Sequence, residues 1–220
     1  MKQWMTFAVL VLASLLLASN ARAQGPSLNN DPPFLQAIEK GDLATFENLL
    51  AHGTDVNKIY PEGYTALMVA AAAGQPGMIT TLLRHGAKID AQNDSKDTAL
   101  GLAAMIGNLQ EVTLLIAHHA NPNLSNNVGM TPLMFGVACK STELVKSLVD
   151  GGADVNAADP EGFTPLMAAG GAGLPEIAAL LIARGANVNA KSSDGTTALS
   201  LAQSNLHADV EKILRDHGAK

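Results

Sequence analysis

Cysteine, aromatic residues and clustered positive charge are all scarce in this chain. Cys139 is the only cysteine among 220 residues, so no intramolecular disulfide can form and packing has to hold the fold together. Aromatic residues make up only 4% of the chain, so the core must be built mainly from aliphatic side chains. No run of lysine and arginine occurs, which argues against nucleic acids and anionic membranes as partners, because clustered cations drive phosphate binding.

An apolar run of transmembrane length is also lacking. The longest run, Met5 to Ala18, spans 14 residues, whereas a transmembrane helix needs about 20. Lys2 precedes the run and Ala21-Arg22-Ala23 follows it, as in a signal peptide that is cleaved after a small-x-small motif. We therefore predict a signal peptide at residues 1–23, a short linker at residues 24–30, and no membrane insertion after cleavage. An uncleaved membrane anchor is the alternative.

The net negative charge, the predicted signal peptide and the single cysteine together suggest where the protein is located. Cleavage after Ala23 would leave 12 basic and 20 acidic residues, because Lys2 and Arg22 are lost. The acids are scattered along the chain, so they favour solubility rather than a cation-binding site. A single cysteine is compatible with the bacterial periplasm, which we predict as the location, with the extracellular space as the alternative.

What the chain does contain is a repeat of 33 residues. A threonine, a leucine two residues later and a second leucine 17 residues after the threonine recur in step. The threonines are Thr65, Thr98, Thr131, Thr164 and Thr197, and the second leucines are Leu82, Leu115, Leu148, Leu181 and Leu214. The segment before Thr65 keeps the same phase. We therefore divide residues 31–220 into six units, at 31–62, 63–95, 96–128, 129–161, 162–194 and 195–220.

One unit contains two helices and a turn. Residues 67–73 form an alanine-rich helical segment, Gly74-Gln75-Pro76 interrupts it, and Ile79, Leu82 and Leu83 give the apolar stripe of a second helix. Gly86 then suits a left-handed helix end. A single unit cannot bury its apolar face, whereas a stack of units can. The sequence therefore predicts an all-α solenoid of about twelve short helices.

Two stretches of the repeat resemble those of a known family. Thr131-Pro132-Leu133 resembles the opening of the ankyrin repeat, and the run from Gly152 to Ala157 resembles its end. The histidine that follows Thr-Pro-Leu in the family is replaced by Met68, Gly101, Met134, Met167 and Ser200. We expect the methionines to fill the space that it leaves. The third unit is the least regular, because Lys96 and His119 stand where the other units have glycine.

Several residues of catalytic or metal-binding type have simpler interpretations. His52, His85, His118 and His217 share one repeat position at the end of the second helix, where positive charge favours the helix dipole. Neighbouring units are about 10 Å apart, so this row cannot hold a zinc ion, whose ligands lie about 2 Å from it. The acids Glu143, Glu176 and Asp209 share the first turn of the second helix, where they stabilise the helix start.

Nucleophile and phosphate-loop motifs are incomplete. No motif around Cys139 supplies the histidine base that a catalytic cysteine requires. The segment Gly170-Gly171-Ala172-Gly173 lacks the lysine of a phosphate loop, and we interpret it as a turn between two repeat helices. We therefore predict no catalytic, cofactor-binding or metal-binding residues and no enzymatic activity. A hydrolase with an unrecognised site is the alternative.

The family resemblance implies a protein-binding module that uses its turn tips and the inner face of its first helices. Carried over to this chain, those positions predict a binding patch of Tyr64, Met105, Ile106, Val128, Met130 and Phe163. Aromatic residues and methionine are typical interface anchors, and we expect Tyr64 and Phe163 to be exposed at the tips. The alternative is that these side chains fold back over the neighbouring unit. The predicted partner of this monomer is another exported protein, such as an enzyme that it inhibits or protects; a secreted effector that acts on a host protein is the alternative.

Overall fold

The computed structural model describes residues 33–220, which contain twelve α-helices in six pairs and no β-strand. The predicted signal peptide and linker lie outside the described residues. In chain order the helices are α1 (Pro33–Lys40), α2 (Leu43–Ala51), α3 (Ala66–Ala73), α4 (Pro76–Arg84), α5 (Ala99–Ile106), α6 (Leu109–Ala117), α7 (Pro132–Ala138), α8 (Thr142–Asp150), α9 (Pro165–Ala172), α10 (Pro175–Ala183), α11 (Ala198–Ser204) and α12 (Ala208–Asp216). Odd-numbered helices are the first helices of their units. The predicted all-α architecture is confirmed.

The threonine column marks where each first helix begins, from unit two onwards. The Thr98 side chain accepts a hydrogen bond from the N–H of Gly101 at 3.0 Å, and the Thr197 side chain accepts one from Ser200 at 3.1 Å. Such a side-chain cap satisfies one of the N–H groups that a helix start leaves without a partner. The same cap is made by Thr65, Thr131 and Thr164. The strict spacing of the threonines therefore reports where the helices start.

Stacking brings like helices together. Consecutive first helices contact one another along the whole chain, and consecutive second helices do so from α4 to α12. The second leucine of each repeat is fully buried in this core, at Leu82, Leu115, Leu148, Leu181 and Leu214. Met68, Met134 and Met167 are also buried. These three methionines therefore belong to the core at the position where the family has histidine.

The glycine-rich segment of unit five corrects one sequence prediction. Gly170 and Gly171 lie inside α9, and only Gly173, with φ of +66°, lies in the turn that follows. A Cβ atom at Gly170 would come within 2.6 Å of the carbonyl oxygen of Ala198. The glycine therefore allows α9 to approach α11 closely, which no local pattern in the sequence could indicate.

An asparagine column joins the ends of successive units. The Asn123 side chain donates to the carbonyl oxygen of Gly152 at 3.1 Å and accepts from the N–H of Asp154 at 2.8 Å. Asn57, Asn156 and Asn189 make the same pair of bonds, each with the following unit. Asp90 holds this position in unit two and makes only the accepting bond, to the N–H of Asn121. Four of these five positions thus carry a two-bond link to the next unit.

Candidate protein-binding surface

The turn tips are shaped by side chains that bond to their own backbone. Asp159 accepts hydrogen bonds from the N–H groups of Glu161 and Phe163, at 3.0 and 2.8 Å. Asn126 does the same for Val128 and Met130, at 3.1 and 3.0 Å. This closed turn fixes the direction of the residue that precedes the capping threonine.

Two of the predicted anchors are buried by this geometry. Phe163 is only 4% exposed and Met130 only 6% exposed, and both belong to the apolar core. We predicted that Phe163 is exposed because it lies at a turn tip, and this prediction is wrong. The side chains cover core between adjacent units, as the alternative interpretation held, and a charge at position 163 would test folding rather than binding.

The other two tip residues remain accessible. Val128 is 48% exposed, and Tyr64 is half-buried against the core. Burial raises the pKa of the Tyr64 hydroxyl, and the carboxylates of Asp97 and Glu62 raise it further, while a hydrogen bond with Asn93 acts in the opposite direction. The phenol is therefore neutral and able to hydrogen-bond at the edge of the tips.

A half-buried carboxylate interrupts the apolar tip row between Tyr64 and Met130. Asp97 accepts a hydrogen bond from the side-chain nitrogen of Asn126 at 3.1 Å. Burial raises its pKa, while hydrogen bonds from Asn126 and Asn93 lower it. The tips therefore present a polar network beside Tyr64 rather than the continuous apolar strip that the sequence suggested.

The two remaining predicted residues lie at the far end of a first helix. Met105 and Ile106 are half-buried and form the last turn of α5, which Thr98 caps at the tip end. An eight-residue helix spans about 12 Å at the usual rise per residue. The predicted patch therefore consists of a tip group, Tyr64 and Val128, and a helix-end group, Met105 and Ile106.

Cys139 borders the helix-end group as a structural residue. Its thiol donates to the carbonyl oxygens of Met105 and Ala104, at 3.4 and 3.5 Å, and burial raises its pKa. A raised pKa disfavours the thiolate, which is the nucleophilic form. Cys139 thus helps to cap the end of α5 from the next unit.

The histidine row lies where the sequence placed it. His52, His85, His118 and His217 are the residues that end α2, α4, α6 and α12. The Nδ1 atoms of His52, His85 and His217 each lie 2.8 Å from a carbonyl oxygen four residues earlier, so these imidazoles cap their own helices. Within residues 33–220, no group of three or more histidine, cysteine or acidic side chains is arranged to hold a metal ion.

Among the clefts of the described surface are two shallow ones that contain no predicted binding residue. One, of about 320 Å³, lies between α2 and α4, where second helices pack least, and its lining includes Glu47, Arg84 and His85. The other, of about 460 Å³, lies beside the tip of unit five and includes Asn156, Asn187 and Lys191. The accessible residues of the predicted site therefore lie on the surface outside both clefts.

Two features of the repeat escaped the sequence reasoning, although the 33-residue alignment contains both. One is the asparagine column described above. The other is Glu111, which is buried at a position that holds Met78, Leu144, Ile177 and Val210 in other units. A search of each repeat position for the one residue that differs in chemical type, rather than for the residue that the units share, would have identified Glu111.

The fold and this open surface define a class of protein, the helical repeat solenoid that offers a long recognition face. The sequence matches the family model of ankyrin repeats (3 copies) at residues 9–93, 78–159 and 137–220. These matches cover most of the chain, which therefore belongs to the ankyrin repeat family. A comparison with curated proteins finds no match.

Family membership indicates a protein–protein interaction module, and such repeats are typically non-catalytic scaffolds. The first match begins at residue 9, inside the predicted signal peptide. Among the described helices, none is both long and apolar enough to cross a membrane.

Proposed function

We propose that this chain is an exported module that binds another protein of the cell envelope and inhibits or protects it. The observation that carries the proposal is the accessible apolar surface on consecutive units. Tyr64, Val128, Met105 and Ile106 supply it, although the chain has few aromatic residues to place at a surface. Solenoids recognise partners through such extended faces, since they have no deep pocket.

Export is supported by the N-terminal sequence. Lys2, the apolar run from Met5 to Ala18 and the Ala21-Arg22-Ala23 motif have the order of a cleaved signal peptide. Cleavage after Ala23 would leave α1, which begins at Pro33, intact. N-terminal sequencing of protein from a fractionated cell envelope tests this step: Gln24 is the expected first residue, and an intact Met1 would contradict export by this route.

The binding role is tested by retrieval of a partner with matched variants. The mature chain is immobilised and exposed to envelope extract over a series of salt concentrations. We expect a saturable partner that is retained by the wild type, lost with Val128→Glu combined with Ile106→Glu, and retained by the control Ala183→Glu. Ala183 is exposed at the end of α10, so the control adds one negative charge away from the patch, where the double variant adds two within it.

A folding measurement completes the test. Val128 is exposed, so Val128→Glu alone should leave the helical circular dichroism and the melting midpoint unchanged. Ile106 is half-buried, and the double variant is informative only if its melting profile remains cooperative at the assay temperature. Equal retention of the partner by the double variant and the control would refute the patch.

A further inference from the structure

Glu111 is a buried carboxylate in a column of apolar residues. It lies in the first turn of α6 and is only 5% exposed. The equivalent residues of units two, four, five and six are Met78, Leu144, Ile177 and Val210, all buried. Units four to six carry their first-turn acid one residue earlier, at Glu143, Glu176 and Asp209, where unit three has the exposed Gln110. In unit three the first-turn acid is therefore buried, whereas in units four to six it is exposed.

This carboxylate has no partner among residues 33–220. No hydrogen bond or ion pair joins its side chain to any residue of that range. Asn108, which precedes α6, makes no side-chain cap there; its amide nitrogen donates instead to the carbonyl oxygen of Ala71 at 3.2 Å. Burying a charge is costly unless it is paired. A leucine at position 111 would therefore make the stack more stable.

The carboxylate lies at the edge of the solenoid, not at its centre. A Cβ atom at Gly74, the residue that ends α3, would lie 3.7 Å from Oε1 of Glu111 and 3.7 Å from the side-chain nitrogen of Asn108. Gly74 therefore contributes no side chain over this carboxylate. The α5–α6 turn that leads to Glu111 contains the exposed Gly107 and is flanked by the half-buried Ile106 and by Leu109, which is 38% exposed.

We propose that Glu111 is the receptor for a basic side chain, lysine or arginine, that the partner inserts between the α3–α4 and α5–α6 turns. The proposal rests on the protein-binding role and places a charged contact beside the helix-end group. A guanidinium or ammonium group would complete the ion pair that the fold lacks, and the accessible Ile106 and Leu109 beside the α5–α6 turn would take the aliphatic stem of the same side chain. The partner's binding segment therefore carries a basic residue flanked by apolar ones.

The site can be tested without the partner. The probe is n-butylguanidinium, compared with n-butanol at constant ionic strength, and the readout is the amide spectrum of the isotopically labelled chain. We expect saturable shifts at Gly74, Gly107 and Glu111 with the cation only. The shifts should persist in Glu143→Gln, which removes an exposed first-turn acid from α8, and disappear in Glu111→Gln. Absence of saturation, or equal shifts in Glu111→Gln, would overturn the proposal.

Thermal unfolding separates a receptor from a structural residue. Glu111→Gln and Glu111→Leu should both raise the melting midpoint, because the cost of an unpaired buried charge exceeds the small gain that a first-turn acid gives to the helix start. Glu143→Gln should leave the midpoint unchanged or slightly lower, since its charge favours the helix start. A lower midpoint in both Glu111 variants would show that the stack needs this carboxylate, and would overturn the proposal.

The partner experiment distinguishes this site from the general function. With a partner in hand, Glu111→Gln should weaken binding roughly thirtyfold or more, mainly through faster dissociation, as expected when one member of a buried ion pair is removed. Equal binding by Glu111→Gln and wild type would refute the receptor and leave the binding module intact. Cation-dependent shifts without any retrievable partner would show that Glu111 binds a cation, but would refute the proposed function and with it the partner's side chain as the occupant.

Discussion

We count each turn tip here with the first helix that follows it, so that residues 93–97 go with unit three, residues 126–130 with unit four and residues 159–163 with unit five. On this count, the junction between units three and four carries more polar links than the junction between units four and five. At the first junction, the backbone N–H of Asn127 donates to the carbonyl oxygen of Ser95 at 2.9 Å, and its side chain donates to that of Asp94 at 2.9 Å. Asn126 bonds to Asp97 at 3.1 Å, and Cys139 caps α5 from the next unit. Hydrogen bonds therefore join both the turn tips and the helix ends across this junction.

The second junction lacks these connections. Position 160, equivalent to Asn127, is a proline and has no N–H for the carbonyl oxygen of Val128. Position 172, equivalent to Cys139, is an alanine and has no thiol that could donate to the end of α7. The asparagine link from Asn156 is kept, and an exposed ion pair joins Asp150 to Arg184, a type of pair that contributes little.

The difference shows that the apolar core and the polar links contribute separately to the stability of this stack. Buried leucines repeat at both junctions, so each unit is held on its neighbour in the same way. In a solenoid, stability is approximately a sum of unit terms and junction terms. A junction with fewer links should open first, so we expect units five and six to unfold as a group separate from units one to four.

The largest expected effect comes from truncating core leucines on the two sides of the weaker junction. Leu181→Ala and Leu148→Ala should each cost about 2–5 kcal/mol, the range for buried leucine. Leu181→Ala should produce an early thermal transition that removes about a third of the helical circular dichroism, because α9–α12 are four of the twelve described helices. A single transition in Leu181→Ala would contradict the separation.

The asparagine links offer the next test. Asn156→Ala and Asn123→Ala each remove two hydrogen bonds between units, at a cost of about 2 kcal/mol by the usual contribution per bond. Because Asn156 is a larger share of its junction's polar links, its loss should speed hydrogen exchange in α9–α12 far more than the loss of Asn123. Equal exchange of these helices in both variants would show that the two junctions are equivalent.

A smaller effect is expected from restoring the missing tip bond. Pro160→Asn supplies the N–H and the side-chain amide that Asn127 uses one unit earlier. The gain of about 0.5–1.5 kcal/mol from a hydrogen bond is partly offset by about 0.4–1 kcal/mol from greater freedom of the unfolded chain. Urea unfolding should change little, whereas exchange in α9–α12 should slow. Pro160→Ala, which restores the N–H alone, separates the two contributions.

The smallest effect is a difference in pH dependence. Burial raises the pKa of Asp97 at the junction between units three and four. The Asp97 carboxylate therefore binds a proton more readily in the folded chain than in the unfolded chain. Ionisation of Asp97 therefore costs stability above its folded pKa, and that cost disappears as the pH falls towards the ordinary value of 3.8. Hydrogen bonds from Lys146 and Arg184 lower the pKa of Asp150 below its ordinary value of 3.8. The stability that ionised Asp150 contributes is therefore present above pH 3.8 and is lost only as the pH falls below that value.

Urea unfolding at pH 6 and pH 4 checks these signs. Asp97→Asn should remove part of the change in stability between the two values, because the variant has no proton to bind at that site. Asp150→Asn should leave that change unaltered, since Asp150 titrates below this window. An equal influence of the two variants would mean that Asp97 is as accessible to water as Asp150.

Much of the architecture could be predicted because one period of 33 residues controls it. The capping threonines, the buried second leucines and the terminal histidines lie where their local chemistry placed them. The binding surface was harder to predict. Met105, Ile106, Tyr64 and Val128 remain accessible, but Met130 and Phe163 share the repeat position of Tyr64 and are buried. Equivalence within the repeat does not ensure equal exposure.

By itself the sequence determined the six-unit helical stack, because helix starts, helix breaks and apolar stripes depend on residues within one unit. Only the tertiary structure decided that Phe163 turns inward, that Gly170 lies in a helix against Ala198, and that Glu111 is enclosed beside Gly74. Each of these depends on atoms contributed by a neighbouring unit. A side chain at a turn or a helix edge is buried or exposed according to how closely the next unit approaches, and that distance is set by packing rather than by local propensity.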